Sequence, residues 1–326
     1  MARTLVAAVA ALVALMPARA GEWALALHGG AGVIERGRFA PGEEEAIRQA
    51  LGRALERGRA ILASGGTAVD AVEAVVVALE AAPQFNAGVG AALTSAGTTE
   101  LDAAIMDGAT RRAAAVTGVM TTESPVRLAR KLMETGPHVF LAGAAADAFA
   151  RAHGLPQVEN GHFITPARRR MLEEIQKGGA SAAFDLTLRF GTVGAVARDQ
   201  AGNLAAATST GGLTGKAPGR IGDSPIIGAG TVAENGACAV SATGSGEIFI
   251  RARAAGQICD RIRFGGQSAE AAANAVIADI GSLGGDGGVI VVDANGEVVF
   301  AMNAPGMYRA AVTSRSAPVV HIYADE

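Results

Sequence analysis

Cysteine is nearly missing from this chain, and aromatic rings are scarce: 2 cysteines, 1 tryptophan, 2 tyrosines and 10 phenylalanines among 326 residues. Cys238 and Cys259 have no paired histidines nearby, which excludes a zinc site of the usual ligand set. They read first as small buried hydrophobes. A disulfide stays open to them in an exported chain. An excess of one charge is also lacking. A net charge of −3 gives no reason to expect nucleic acid or an anionic membrane as partner. Apolar runs long enough to span a bilayer are absent; the stretches at 68–82 and 288–292 are too short or interrupted. Residues 29–32, Gly-Gly-Ala-Gly, lack the G-x-G-x-x-G spacing of a dinucleotide site. The glycines at 284–288 lack the Lys-Ser/Thr of a phosphate loop. No internal repeat is visible.

What is abundant is glycine, 44 residues, about twice the usual share. Half of the chain is hydrophobic, enough for a substantial core in one large domain or two ordinary ones. At the N-terminus, Arg3, an apolar run over 5–16 and Ala18-Arg19-Ala20 have the order of a secretory signal cut after Ala20. That predicts a periplasmic or secreted protein. With no cysteine there, a lipoprotein anchor is not expected.

Hydrophobic periodicity predicts helices over 43–63, 68–82, 124–134, 143–152, 247–263 and 269–280, with Thr67 as an N-cap. Strands are predicted at 23–27, 101–107, 113–120, 192–198, 204–210, 238–243, 288–292, 298–301 and 319–323. The loop 199–203 makes a hairpin with a bulge glycine. Between about 163 and 190 the composition shifts to clustered charges and glycines, a solvated linker with some helix. Strands with small residues on both faces are covered on both faces, so sheets sandwiched between helix layers are expected.

Chemistry concentrates after the linker. Thr192 follows Gly191 at the mouth of a strand. A threonine hydroxyl needs an adjacent base. An α-amine, titrating near 8, is a suitable one, and cutting Gly191–Thr192 would create it. Gly191 would tolerate the strained backbone such an attack requires. The bland alternative is a β-branched residue opening a strand. Thr210 ends the partner strand and can lie beside Thr192, as helper or as a simple cross-strand threonine. Arg220 and Asp223 match the carboxylate and ammonium of an amino acid, or form a surface ion pair. Thr243 and the Gly244 N–H can form an oxyanion hole, beside Ser245-Gly246-Glu247 capping a helix. His28, in His28-Gly29-Gly30-Ala31-Gly32, reads as a structural histidine fixing a strand-end turn.

With these residues the chain resembles the plant-type L-asparaginase/isoaspartyl peptidase family of N-terminal nucleophile hydrolases. The resemblance runs from Trp23 to the C-terminus except for the linker. It rests on the segments 28–32, 85–90, 101–108, 191–197, 207–212, 219–225, 243–247 and 303–309, in the family's order. It implies an α+β fold, a four-layer αββα sandwich, cut before Thr192 into an α subunit (21–191) and a β subunit (192–326). Two such pairs would form a dimer of αβ heterodimers. Thr192 would attack the side-chain amide of asparagine or the isopeptide carbonyl of a β-aspartyl peptide, helped by Thr210. Arg220 would hold the α-carboxylate and Asp223 the α-amine. Thr243 and Gly244 would stabilise the oxyanion, Gly246 would line the pocket, and Asn86 would order the site. The resemblance implies a structural sodium ion near residues 79–85 and no catalytic metal. The glycosylasparaginase branch is the alternative, but Ser245 stands where that branch tends to be acidic. A non-catalytic periplasmic amino-acid binder that never matures is a third reading, opposed by three retained threonines. A signal segment is itself a departure from many relatives.

Overall fold

Alternation along the strands sets the layers. In β1 (Ala24–Gly32), Leu25 and Leu27 face one core while Ala24 and Ala26 face another. In β5 (Val193–Arg198), Ala195 and Ala197 oppose Val196; in β6 (Leu204–Thr210), Ala205 and Ala207 oppose Leu204 and Ala206. Small residues on both faces let both be covered closely. The structure is a computed structural model that describes residues 21–37, 39–178 and 191–326. The signal-like segment 1–20 and the linker stretch 179–190 lie outside the described residues.

The large sheet has eight strands in the order β12-β11-β1-β5-β6-β2-β3-β4. Here β2 is Leu101–Asp107, β3 Ala113–Val119, β4 Phe140–Ala142, β11 Gly306–Thr313 and β12 Ser316–Tyr323. The small sheet runs β10-β9-β8-β7: β7 is Thr231–Ala233, β8 Cys238–Gly244, β9 Gly287–Asp293 and β10 Val298–Met302. Only β3–β4 pairs in parallel among the described strands. The sheets pack face to face through β1 and β9, β5 and β8, and β6 and β8. The outer face of the large sheet is covered by α1 (Glu43–Ala63), α2 (Ala68–Glu80), α3 (Pro125–Thr135) and α4 (Gly143–Ala152). The small sheet is covered by α7 (Ala254–Arg263) and α8 (Ala269–Ser282). The result is the expected four-layer αββα sandwich. A further helix, α5 (Pro166–Gly178), occupies part of the expected linker.

Local chemistry explains several ends. Thr67 Oγ1 accepts the Asp70 N–H at 3.1 Å, the expected N-cap of α2. Helix α2 stops at Glu80, short of the expected 82. The helix expected over 247–263 is broken into α6 (Gly246–Ala252) and α7 by Arg253, at φ 50°. The first amides of α7 turn elsewhere: Ala255 and Gly256 donate to the Ala229 and Gly228 carbonyls. Strands β4, β7 and β11 were not expected, and β1 runs on to Gly32 across a bulge between His28 and Gly30. Cys238 and Cys259 are buried as expected, yet they are disulfide-bonded, joining β8 to α7. The first reading of two free small hydrophobes is corrected by this contact.

Candidate active site

Register brings the two threonines together. Val193 pairs with Ser209 across β5 and β6, so the residues flanking that pair, Thr192 and Thr210, lie side by side. Their hydroxyl oxygens are 2.9 Å apart. The Gly212 N–H donates to Thr210 Oγ1 at 3.0 Å, so Thr210 accepts there. Its own proton remains for Thr192, or its second lone pair accepts the proton of Thr192.

Behind this pair stands Asn86. Its N–H donates to the Gly191 carbonyl at 2.9 Å, and the Gly211 N–H donates to its carbonyl. Its side-chain amide donates to the Gly212 carbonyl and accepts from Ala92 N–H, both at 2.6 Å. Asn86 therefore ties the residue before Thr192 to the turn after Thr210. Space alone also calls for glycine here: a Cβ on Gly191 would sit 2.7 Å from Asn86 Cβ, and one on Gly30 would sit 2.4 Å from Gly191 Cα.

Thr192, Thr210, Arg220, Asp223, Ser224 and Gly244 line one small cleft. Asp223 is buried, and its Oδ2 has no hydrogen-bond partner among the described residues; nor does Ser224 Oγ. Burial pushes the Asp223 carboxyl up to about 7, only partly offset by backbone N–H donors and by Arg220. Arg220 does not pair with Asp223. It makes a two-pronged bond to Glu247, Nε to Oε1 and Nη2 to Oε2, each 2.9 Å. The bland reading of a 220–223 surface ion pair therefore fails, and both groups turn toward the cleft. A Cβ on Gly246 would lie 2.9 Å from Arg220 Nη2 and 3.1 Å from Asp223 Oδ1, so only glycine leaves these two head groups room.

Thr243 is fully buried at the end of β8, and its Oγ1 is likewise unpartnered among the described residues. Gly244 follows at φ 150°, with the Asp286 carbonyl 2.3 Å from where a Cβ would be. Ser245 precedes α6 without capping it; its hydroxyl donates to Asp286 Oδ1 at 2.6 Å. An unpaired hydroxyl beside a glycine amide is the donor set an oxyanion needs.

Of the site residues singled out in the sequence, Thr192, Thr210, Arg220, Asp223 and Gly244 line this cleft, while Asn86, Gly191, Thr243 and Gly246 adjoin its lining residues in space or in the chain. Ser224 and Glu247 as a partner of Arg220 were not foreseen. Ser224 is the neighbour of Asp223, but nothing in its type marks it. His28 is buried, as a structural histidine should be. Its ring bonds the Thr192 carbonyl through Nδ1 at 3.0 Å and Ser241 Oγ through Nε2 at 2.8 Å. Burial holds it neutral, with a pKa lowered to about 3.

The asparaginase family model matches residues 21–322. The chain is similar to an isoaspartyl peptidase of Salmonella typhimurium, 47% identical over 306 residues, covering 92% of this chain and 98% of that protein. It is similar to an isoaspartyl peptidase of Escherichia coli, 45% identical over 313 residues and covering 94% and 98%. A Homo sapiens isoaspartyl peptidase/L-asparaginase is 43% identical over 272 residues, covering 83% and 86%. A threonine pair facing an unpaired carboxylate, an arginine and an oxyanion-type donor set is thus found in a chain that belongs to the asparaginase family.

Proposed function

We propose that the protein cleaves itself between Gly191 and Thr192. We propose that it then hydrolyses β-aspartyl dipeptides and L-asparagine, with Thr192 as nucleophile. The observation that carries this reading is the cleft itself. The Thr192–Thr210 hydroxyl pair shares it with Asp223 and Ser224, whose Oδ2 and Oγ have no hydrogen-bond partner among the described residues. Buried unpaired polar atoms are costly, so several in one cleft suit a ligand that satisfies them.

In maturation, Thr192 Oγ attacks the Gly191 carbonyl carbon. The Asn86 N–H, already donating to that carbonyl oxygen, stabilises the developing oxyanion. The C–N bond breaks, the hydroxyl proton goes to the departing nitrogen, and an ester links Gly191 to Thr192 Oγ. Water hydrolyses the ester, giving a Gly191 carboxylate and a Thr192 with free amine and hydroxyl. In turnover, that amine takes the hydroxyl proton as Oγ attacks the β-carbonyl of substrate. Thr210 steadies the hydroxyl, and Thr243 Oγ1 and the Gly244 N–H meet the oxyanion. Arg220 binds the α-carboxylate and Asp223 the α-ammonium. The amine-borne proton passes to the leaving ammonia or amino acid, and water releases aspartate from the acyl-enzyme.

We also propose export with removal of residues 1–20, which the buried disulfide suits, and assembly as two αβ pairs. A structural sodium ion near residues 79–85 is part of the same proposal, with main-chain carbonyls as its oxygen ligands. No step of the reaction passes through it.

The test is the denatured mass of purified protein, followed by assays with β-aspartyl-leucine, L-asparagine and a glycosylated asparagine. Two chains, one starting at Thr192, and a single uncut chain for Thr192→Ala are expected. Turnover of the first two substrates should exceed that of the third. An active wild type that stays in one piece would overturn the maturation step. Preference for the glycosylated substrate would overturn the substrate assignment, and binding without turnover would favour the amino-acid binder.

A further inference from the structure

Between the two sheets runs a buried polar seam that the reaction scheme does not use. It starts at the Thr192 carbonyl and passes through His28 on β1, Ser241 on β8, Thr208 on β6 and Thr231 on β7. It ends at the Ser224 carbonyl. The links are 3.0, 2.8, 2.7, 2.6 and 3.0 Å. All four side chains are fully buried, so no bulk water competes for their bonds.

Proton counting gives the seam a direction. The Thr192 carbonyl can only accept, so the hydrogen of that bond sits on His28 Nδ1. A neutral imidazole then presents a lone pair at Nε2, and Ser241 must donate to it. With its proton committed, Ser241 accepts from Thr208. Thr208 in turn accepts from Thr231. Each hydroxyl has one proton, so with that of His28 Nδ1 four protons serve the four bonds from Thr231 to the Thr192 carbonyl, and the Ser224 carbonyl, which only accepts, shares the Thr231 proton.

The position of Thr192 shows why this matters. The β5–β6 ladder begins at Val193 and the β5–β1 ladder at Gly194, so Thr192 lies outside both. Once the bond to Gly191 is cut, the nucleophile is a chain end, which frays unless tied down. Its side chain touches Thr210, and its main chain is held through the carbonyl by His28. Gly194 fits the same purpose: a Cβ there would lie 2.0 Å from Ser241 Oγ and 2.5 Å from His28 Nε2. The second residue after the nucleophile is a glycine because the His28–Ser241 bond fills its side-chain space.

We propose that His28 is a positioning residue for the Thr192 nucleophile, held in its Nδ1–H form by the one-way hydroxyl chain Thr231–Thr208–Ser241. The proposal rests on the reading of Thr192 as nucleophile. It adds that the nucleophile's aim is set by residues of both sheets that never touch substrate.

Two measurements test it. The first is nitrogen NMR of the imidazole groups in wild-type protein, with His28 assigned by its loss in His28→Gln. A neutral Nδ1–H ring is expected; an Nε2–H ring or a charged one would overturn the chain. This measurement requires no maturation. The second is steady-state kinetics on protein whose mass shows the Thr192 chain. Ser241→Ala and Thr208→Val break the chain without touching His28. His28→Gln loses the donor to Thr192, and His28→Asn keeps a donor near the Nδ1 position. For Ser241→Ala and His28→Gln, kcat should fall about tenfold or more while KM stays within about threefold. Thr208→Val should fall less, and His28→Asn should exceed His28→Gln. Unchanged kcat in Ser241→Ala, a loss confined to KM, or equal loss in both His28 variants would overturn the positioning role. A wild type that never cuts would remove the nucleophile reading and leave the NMR result to decide the seam.

Discussion

Asp223 illustrates how a buried carboxylate destabilises the fold that holds it. The unfolded chain releases this proton near 3.8, whereas burial delays release to about 7 in the folded state. Between those values the folded state holds more protons, so this group lowers stability as pH rises, and the full penalty is present above about pH 7. Asp223→Asn should therefore raise Tm by several degrees at pH 8, on the order of 2 kcal/mol, with the gain vanishing below about pH 4. On the proposed reading the same variant should raise KM about 10–100-fold, because it would remove a charge-assisted bond to the substrate ammonium. Thermal melts at several pH values and KM on β-aspartyl-leucine check both halves. A variant less stable than wild type at pH 8 would show that the carboxylate stabilises its loop. At this scale much was legible. Thr192, Thr210, Arg220, Asp223, Thr243 and Gly244 sit in short segments of chemically loaded residues, and the strand register that unites the threonines follows from one hairpin. The Glu247 partner of Arg220 and the Ser241 partner of His28 lie far along the chain, and residue type alone marks neither. The space that Gly191 needs against Asn86 is set by a residue far along the chain, and the sequence does not show it.

Elements were legible where one periodicity ruled, and not where a distant neighbour competed. Helices α1 and α4 fall on their expected residues because an uninterrupted apolar stripe meets one sheet. The break between α6 and α7 escaped notice because its cause, the Gly228 and Ala229 carbonyls, is tertiary. Strands β4 and β7 have three residues each, too few for an alternation to declare itself. The disulfide belongs to this scale as well. It ties α7 to the start of β8, the strand whose far end carries Thr243 and Gly244, and closes a segment of 21 residues. Closure of that length restricts the unfolded chain by about 3 kcal/mol. Replacing both cysteines with alanine should lower Tm by several degrees, while kcat of the folded protein stays within about twofold. Calorimetry of the variant, beside wild type with and without reductant, checks this. An unchanged Tm would mean that packing around β8 and α7 alone sets their stability, and would remove one argument for an oxidising compartment.

For the whole molecule, the question is what a cut before Thr192 does to the fold. Strands β1 to β4 precede the cut, and β5 to β12 follow it. The large sheet nevertheless runs β12-β11-β1-β5-β6-β2-β3-β4, so strands from the two sides alternate in blocks. β1 is hydrogen-bonded on one edge to β11 and on the other to β5, and β2 is bonded to β6. The outer core likewise mixes Leu25, Leu51 and Val75 from one side with Val193, Ala207 and Val312 from the other. Separating the pieces would open three ladders and expose a shared core, which amounts to unfolding. A cut there would therefore release a reactive amine without dividing the cooperative unit. Matured protein should run as one species in native size exclusion and as two chains under denaturing conditions. It should melt in a single calorimetric transition. Residues 192–326 expressed alone should aggregate, because β5 and β11 would each present an unpaired edge where β1 belongs. Co-expression with residues 21–191 should rescue solubility, and with it turnover of β-aspartyl-leucine. Two resolved melting transitions, or a soluble and native-like 192–326 fragment, would mean that the two pieces are separate folding units joined at an interface. The site would then depend on their docking rather than on one continuous sheet.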